Sequence, residues 1–96
     1  MITGKNYIGG ELSSNSSVSF KTFNPILNIE NSITFFEASD IEIEKSTKLA
    51  NDAFKIFKQV SSLDRSKFLN QISDELELIT DDIVNVYCSE TGLPEV

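Results

Sequence analysis

A chain of 96 residues with 15 acidic and 8 basic side chains, no histidine and one cysteine has room for one small domain, because short chains bury a smaller share of their surface. The net charge of −7 and the scatter of Lys and Arg argue against a nucleic-acid or anionic-membrane partner, either of which needs clustered cations. The lone Cys88 closes no internal disulfide, so nothing points to an oxidising compartment.

No apolar run approaches the roughly 18 residues of a membrane span, and MITGKNYIGG at the N-terminus lacks the charged lead and apolar stretch of a secretion signal. The expected location is cytoplasmic. Asn15-Ser16-Ser17 spells a glycosylation sequon, which is read as accidental in such a chain.

Residues 1–38 read as β-rich and residues 39–96 as helical. Tyr7-Ile8, Gly9-Gly10 and Glu11-Leu12 predict a short strand, a tight turn and a return strand, since paired glycines supply the positive φ angles of such a turn. Ser13 to Ser17 is the polar loop. Val18 to Phe23 alternates apolar and polar residues as a half-buried strand does, and Asn24-Pro25 ends it because proline cannot donate to a ladder. A further strand is expected from Ser32 to Glu37.

Ser39-Asp40-Ile41-Glu42 is a capping-box pattern, so a helix should begin there. Ile43, Ala50, Ala53, Phe54, Phe57 and Val60 then recur at helical spacing. A second capping pattern runs from Ser61 to Asp64. It opens a stripe of Phe68, Leu69, Ile72, Leu76, Ile79 and Ile83, with a break or kink expected at Thr80-Asp81 and Thr80 as the N-cap of the later piece. Gly92 suits the left-handed position after a helix end, and Pro94 prevents continuation.

The expected fold is thus α+β, with short strands and a hairpin followed by two or three helices. Neither half closes on itself, because a few short strands cannot shelter both faces and each amphipathic helix leaves one stripe to cover.

Few residues invite a chemical role. Cys88 lies late in a helix with no histidine to serve as base, and is read as a packed or half-packed thiol. Gly9-Gly10 lacks the strand and helix context of a phosphate cradle. Asp81-Asp82 is ordinary charge complementation at a helix start, since helical neighbours point about 100° apart. The Phe35-Phe36 pair and the Phe54/Phe57 face are read as core or as an apolar face awaiting cover.

KNYIGGE from Lys5 to Glu11, FKTFNP from Phe20 to Pro25, ANDAFKIF from Ala50 to Phe57, DRSKFLNQISDELE from Asp64 to Glu77 and ETGLPE from Glu90 to Glu95 occur in order. Together they resemble the N-terminal segment of the aldehyde dehydrogenase superfamily over nearly the whole chain. TGKNYIGGE and ETGLPE look most like the 2,5-dioxovalerate (α-ketoglutarate semialdehyde) branch, although an NADP-dependent fatty aldehyde branch shares similar wording.

The resemblance implies an α/β parent with a Rossmann-type cofactor domain, to which residues 1–96 would contribute the N-terminal part. The parent would oxidise an aldehyde or semialdehyde with NAD or NADP through a Cys thioester. Its catalytic Cys, its Glu and its glycine-rich cofactor turn would all lie downstream, so no catalytic or cofactor-binding residue is expected here. SETGLPEV, from Ser89 to Val96, then looks like a cut rather than an end. Some relatives hold a structural monovalent cation, and the corresponding positions here are Thr22, Phe23 (through its carbonyl) and Glu90. The implied partners are the rest of the same enzyme and further copies of it in a homo-oligomer. From another class comes the competing expectation of a free-standing acidic helical interaction module, using Leu69, Ile72, Leu76 and Ile79 as its docking stripe.

Overall fold

The computed structural model describes residues 2–95; Met1 and Val96 lie outside the described residues, including the final position of the SETGLPEV stretch. In chain order, β1 (Asn6–Ile8), β2 (Glu11–Ser13), β3 (Ser19–Asn24) and β4 (Ile29–Phe36) precede α1 (Asp40–Phe57), α2 (Ser62–Glu77) and α3 (Thr80–Thr91). The change of character near Ser39 is therefore the boundary between strands and helices.

β1 and β2 form an antiparallel hairpin with Ile8 opposite Glu11 and Asn6 opposite Ser13. Gly9 and Gly10 turn the chain with φ values of 61° and 81°, both positive as a two-residue primed turn demands. Ser13, expected to open the loop, is the last residue of β2. A separate antiparallel pair joins β3 to β4, with Phe20 opposite Phe35 and their rings stacked at 5.7 Å.

β4 begins at Ile29, earlier than the expected Ser32. The cause is local turn chemistry: the Asn24 side-chain oxygen accepts from the amides of Ile26 and Leu27 at 3.0 and 3.1 Å. Asn28 then takes a left-handed φ of 56°, so the chain reverses at once and Ile29 pairs with Asn24. The register shifts between Lys21 and Phe23, which leaves Thr22 outside the regular ladder.

The capping box at Ser39 is complete. Its hydroxyl accepts from the Glu42 amide at 3.3 Å, and its own amide donates to the Glu42 carboxylate at 2.8 Å. Ser61 caps α2 by accepting from the Asp64 amide at 3.1 Å.

The helix break falls where expected, but the cap differs. Ile79 is the N-cap of α3 and makes no side-chain cap bond. Thr80 points the other way, donating its hydroxyl to the Glu77 carbonyl at 2.9 Å. A threonine hydroxyl can bond back to a preceding turn as readily as forward. Gly92 closes α3 with φ of 72°, and a Cβ there would stand 3.0 Å from the Pro25 ring, so the helix end and the β3–β4 turn meet at a position only glycine fits.

Packing between elements is sparse. Beyond the strand pairs, α3 rests on β3 and α1 on β1, while α2 has at most marginal contact with other elements, chiefly the edge-to-face approach of Phe57 and Phe68 at 5.6 Å. Among the described residues only Ile8 and Glu42 are buried. The radius of gyration is 17.0 Å, against about 12.5 Å for a compact domain of this length. The molecule is a slab 49 × 36 × 17 Å, too thin to close the two-layer core that stabilises a domain.

Candidate functional site

Two polar constellations stand out. The first lies where α3 crosses β3, around a cleft of about 270 Å³ with Thr22, Asn31, Asn85, Ser89 and Glu90 in its lining. Thr22 reaches it because the register shift frees it from regular pairing. Glu90 reaches it from the last turn of α3, which Gly92 seats against the β3–β4 turn. The Asn31 amide donates to the Thr22 hydroxyl at 3.0 Å and, at a longer 3.4 Å, to the Ser89 carbonyl.

The three sequence-predicted cation residues are thus brought together only in part. Thr22 and Glu90 share the cleft, whereas Phe23 is outside its lining, opposite Glu30 in the ladder with its side chain about half exposed. The donors are hard oxygens with a single carboxylate among them. Among the described residues no group of three or more His, Cys, Asp or Glu converges. One negative charge with neutral oxygens fits a singly charged ion better than a calcium site, which gathers several carboxylates. The Asn31 amide already presents a positive hydrogen to one of the candidate oxygens, the Thr22 hydroxyl, so an ion there would compete with it.

The second constellation was only half legible. Glu42 is the most buried side chain described, at 2% exposure. Its carboxylate accepts from the Ser13 hydroxyl at the end of β2, the Asn15 amide at 3.2 Å and the Ser39 amide at 2.8 Å. The Ser13 hydroxyl and the Ser39 amide are the main causes that hold its carboxyl down at about pKa 2, against the opposing effect of burial. The capping box announced the Ser39 bond. The partners at Ser13 and Asn15, 29 and 27 residues away, carry no local signal. This site is a strut between hairpin and helix, since both carboxylate oxygens accept from the protein's own donors.

The remaining candidates fall where a structural role places them. Cys88 is half-buried in the last part of α3, the wrong end of a helix for stabilising a thiolate. Asp81 and Asp82 sit in the first turn of α3. Gly9-Gly10 is a hairpin turn. Phe54 and Phe57 remain substantially exposed, so that face still awaits cover. No helix among the described residues is long and apolar enough to cross a membrane.

Comparison with known proteins adds what this geometry lacks. The sequence profile described as the aldehyde dehydrogenase family matches residues 12–95. Alpha-ketoglutaric semialdehyde dehydrogenase 2 of Azospirillum brasilense is 30% identical over 94 residues, which cover 97% of this chain and 18% of that relative. The chain therefore spans less than a fifth of the length of that relative. No solved structure matches it significantly.

Proposed function

The chain belongs to the aldehyde dehydrogenase family, and from that premise we propose that it is the N-terminal part of an NAD(P)-dependent enzyme oxidising an aldehyde or semialdehyde to a carboxylate, and that this part is itself structural and inactive. The observation that carries the proposal is the family match over nearly the whole chain. The name of the Azospirillum relative supports a semialdehyde, 2,5-dioxovalerate, as substrate.

In this reading a Cys thiolate attacks the carbonyl carbon, an oxyanion hole stabilises the adduct, and water releases the resulting thioester as the acid. NAD or NADP, when bound, supplies the acceptor for the hydride. These parts are assigned to the rest of the enzyme, in a Rossmann-type domain to which residues 1–96 contribute the strand-rich 1–38 and helical 39–96 portions. Cys88 is not the nucleophile.

This chain's own residues hold shape. Glu42 fixes the β1–β2 hairpin to the start of α1, and Gly92 fixes the end of α3 to the β3–β4 turn. Thr22 and Glu90, with the Phe23 carbonyl, are proposed ligands of a structural monovalent cation whose remaining oxygens come from elsewhere in the enzyme. The enzyme is taken to be a cytoplasmic homo-oligomer.

The test is to purify from source cells the native polypeptide that carries FLNQISDELELIT and assay it with 2,5-dioxovalerate and other semialdehydes against both nicotinamide cofactors. Reduced cofactor is expected from the native polypeptide and none from the 96-residue chain. A native polypeptide that reduces neither cofactor with any aldehyde sinks the proposal.

A further inference from the structure

Asparagine is among the chemically labile residues of a protein chain, most of all before a small residue whose nitrogen can reach its side chain. This chain carries such a pair twice, as Asn15-Ser16 and Asn31-Ser32. The fold puts the two pairs in opposite settings. Asn15 is exposed in the loop of residues 14–18 between β2 and β3. Two backbone nitrogens hold that loop: Asn15 donates its amide to the Glu42 carboxylate at 3.2 Å, and Val18 donates to the Ser16 hydroxyl at 3.0 Å. Neither bond engages the Asn15 side chain or the Ser16 nitrogen, and neither of those groups has a hydrogen-bond partner among the described residues.

Asn31 has the same neighbour and none of that freedom. It lies half-buried inside β4, and its side-chain amide donates to the Thr22 hydroxyl at 3.0 Å and the Ser89 carbonyl at 3.4 Å. The remaining asparagines are set apart by local chemistry. Asn24 precedes Pro25, which has no N–H to attack with. Asn6 and Asn28 precede the bulky Tyr7 and Ile29, while Asn51, Asn70 and Asn85 lie within helices.

We propose that Asn15 is a site of spontaneous deamidation in the folded protein, and that its product loosens the joint between the β1–β2 hairpin and α1. The Ser16 nitrogen loses its proton and attacks Asn15 Cγ. The Cγ–Nδ2 bond breaks and ammonia departs with a proton, leaving a cyclic imide. Water then opens the ring. Cleavage at Cγ gives aspartate; cleavage at the main-chain carbonyl gives isoaspartate, whose chain runs on through Cγ and whose α-carboxylate is free. Water is the only co-reactant. Either product puts a negative charge on the residue whose amide serves Glu42. That carboxylate is 2% exposed, and a like charge disfavours the ionised form on which the joint depends.

The experiment ages the full-length native polypeptide at neutral and at mildly alkaline pH, digests it in acid and maps the peptides by mass spectrometry, with isoaspartate counted by enzymatic methylation. Conversion is expected at Asn15, faster at the higher pH because the attacking nitrogen must lose its proton. It should run roughly tenfold or more ahead of Asn31, whose side-chain hydrogen bonds must open first. In denaturant the two pairs should convert at similar rates. Equal conversion in the folded protein, no conversion at Asn15, a difference that persists in denaturant, or a glycan on the Asn15-Ser16-Ser17 sequon overturns the site. Amide exchange on the aged sample and on Asn15→Asp reads the second half of the proposal. Protection should fall across β1 and β2 relative to Asn15→Gln, and unchanged exchange overturns the link to Glu42. None of these readouts involves turnover, so the site stands or falls apart from the dehydrogenase reading.

Discussion

The junction of hairpin and α1 and the length of α2 end in opposite states. At the junction Ile8 and Glu42 are the two buried residues, the Gly9 turn lies against Leu49, and one carboxylate collects donors from β2, the following loop and the helix cap. On α2 a longer apolar stripe leaves every residue exposed. Directional polar contacts can be completed by a few residues, whereas apolar burial needs mass on both sides of the contact. A segment with too little mass therefore keeps its polar joints and leaves its apolar faces open.

Breaking the junction is expected to have the largest effect. Glu42→Ala leaves the Ser13, Asn15 and Ser39 donors without their acceptor, and amide exchange should show protection lost across β1 and β2 while the middle of α1 persists. Unchanged exchange would mean that the strut is idle. Glu42→Gln is expected to behave similarly, because its amide NH₂ sets a donor among donors.

The same carboxylate predicts a pH dependence. Its folded pKa lies near 2, below the ordinary 4.5, so the folded state binds its proton less readily than the unfolded chain does. The stability it contributes is fully present above about pH 4.5 and is lost as pH falls towards 2. Circular dichroism and exchange followed through that window should show the hairpin loosening, and Glu42→Gln should remove this component.

On the other side of the comparison, Leu76→Ala is expected to cost about 2–5 kcal/mol in the full-length enzyme if the hollow it lines with Tyr7 is filled, and within about 0.5 kcal/mol in the 96-residue chain, where Leu76 is exposed. Equal, small effects in both would deny that α2 is covered at all. Denaturant melts of the two polypeptides decide between these outcomes.

The turn gives a finer test. Gly9→Ala carries the cost of a positive φ, about 1–2 kcal/mol, together with a Cβ 2.6 Å from the Leu49 side chain. Gly10→Ala carries only the first cost, since nothing stands within 4 Å. Thermal melts should rank Gly9→Ala below Gly10→Ala, and the reverse order would place the hairpin away from α1. The smallest effect, about 1 kcal/mol, is expected of Ser61→Ala, which removes the hydroxyl that caps α2.

Much of the backbone was legible because its signals are local. The Gly-Gly turn, the caps at Ser39 and Ser61, the break near Thr80 and the stop at Gly92 each rest on residues within a few positions of one another. The start of β4 was misplaced because Asn24 and Asn28 make a turn inside an apolar run that shows no alternation. Thr80 was misassigned because the direction of a hydroxyl depends on which carbonyls the preceding helix end presents.

Of the cation residues, the sequence could name Thr22, Phe23 and Glu90 only through family resemblance. That Thr22 and Glu90 line one cleft without Phe23 follows from a register shift and from α3 lying on β3. The sequence by itself determined the Gly9-Gly10 turn, the capped starts of α1 and α2, the stop at Gly92 and which side chains form apolar stripes, because dihedral preferences and capping act over a few residues. Only the tertiary structure decided that Glu42 would close on Ser13 and Asn15, and that the α2 stripe would face an open trough across from Tyr7. Those outcomes depend on which distant surfaces meet, and nothing within a helical turn of either residue encodes that.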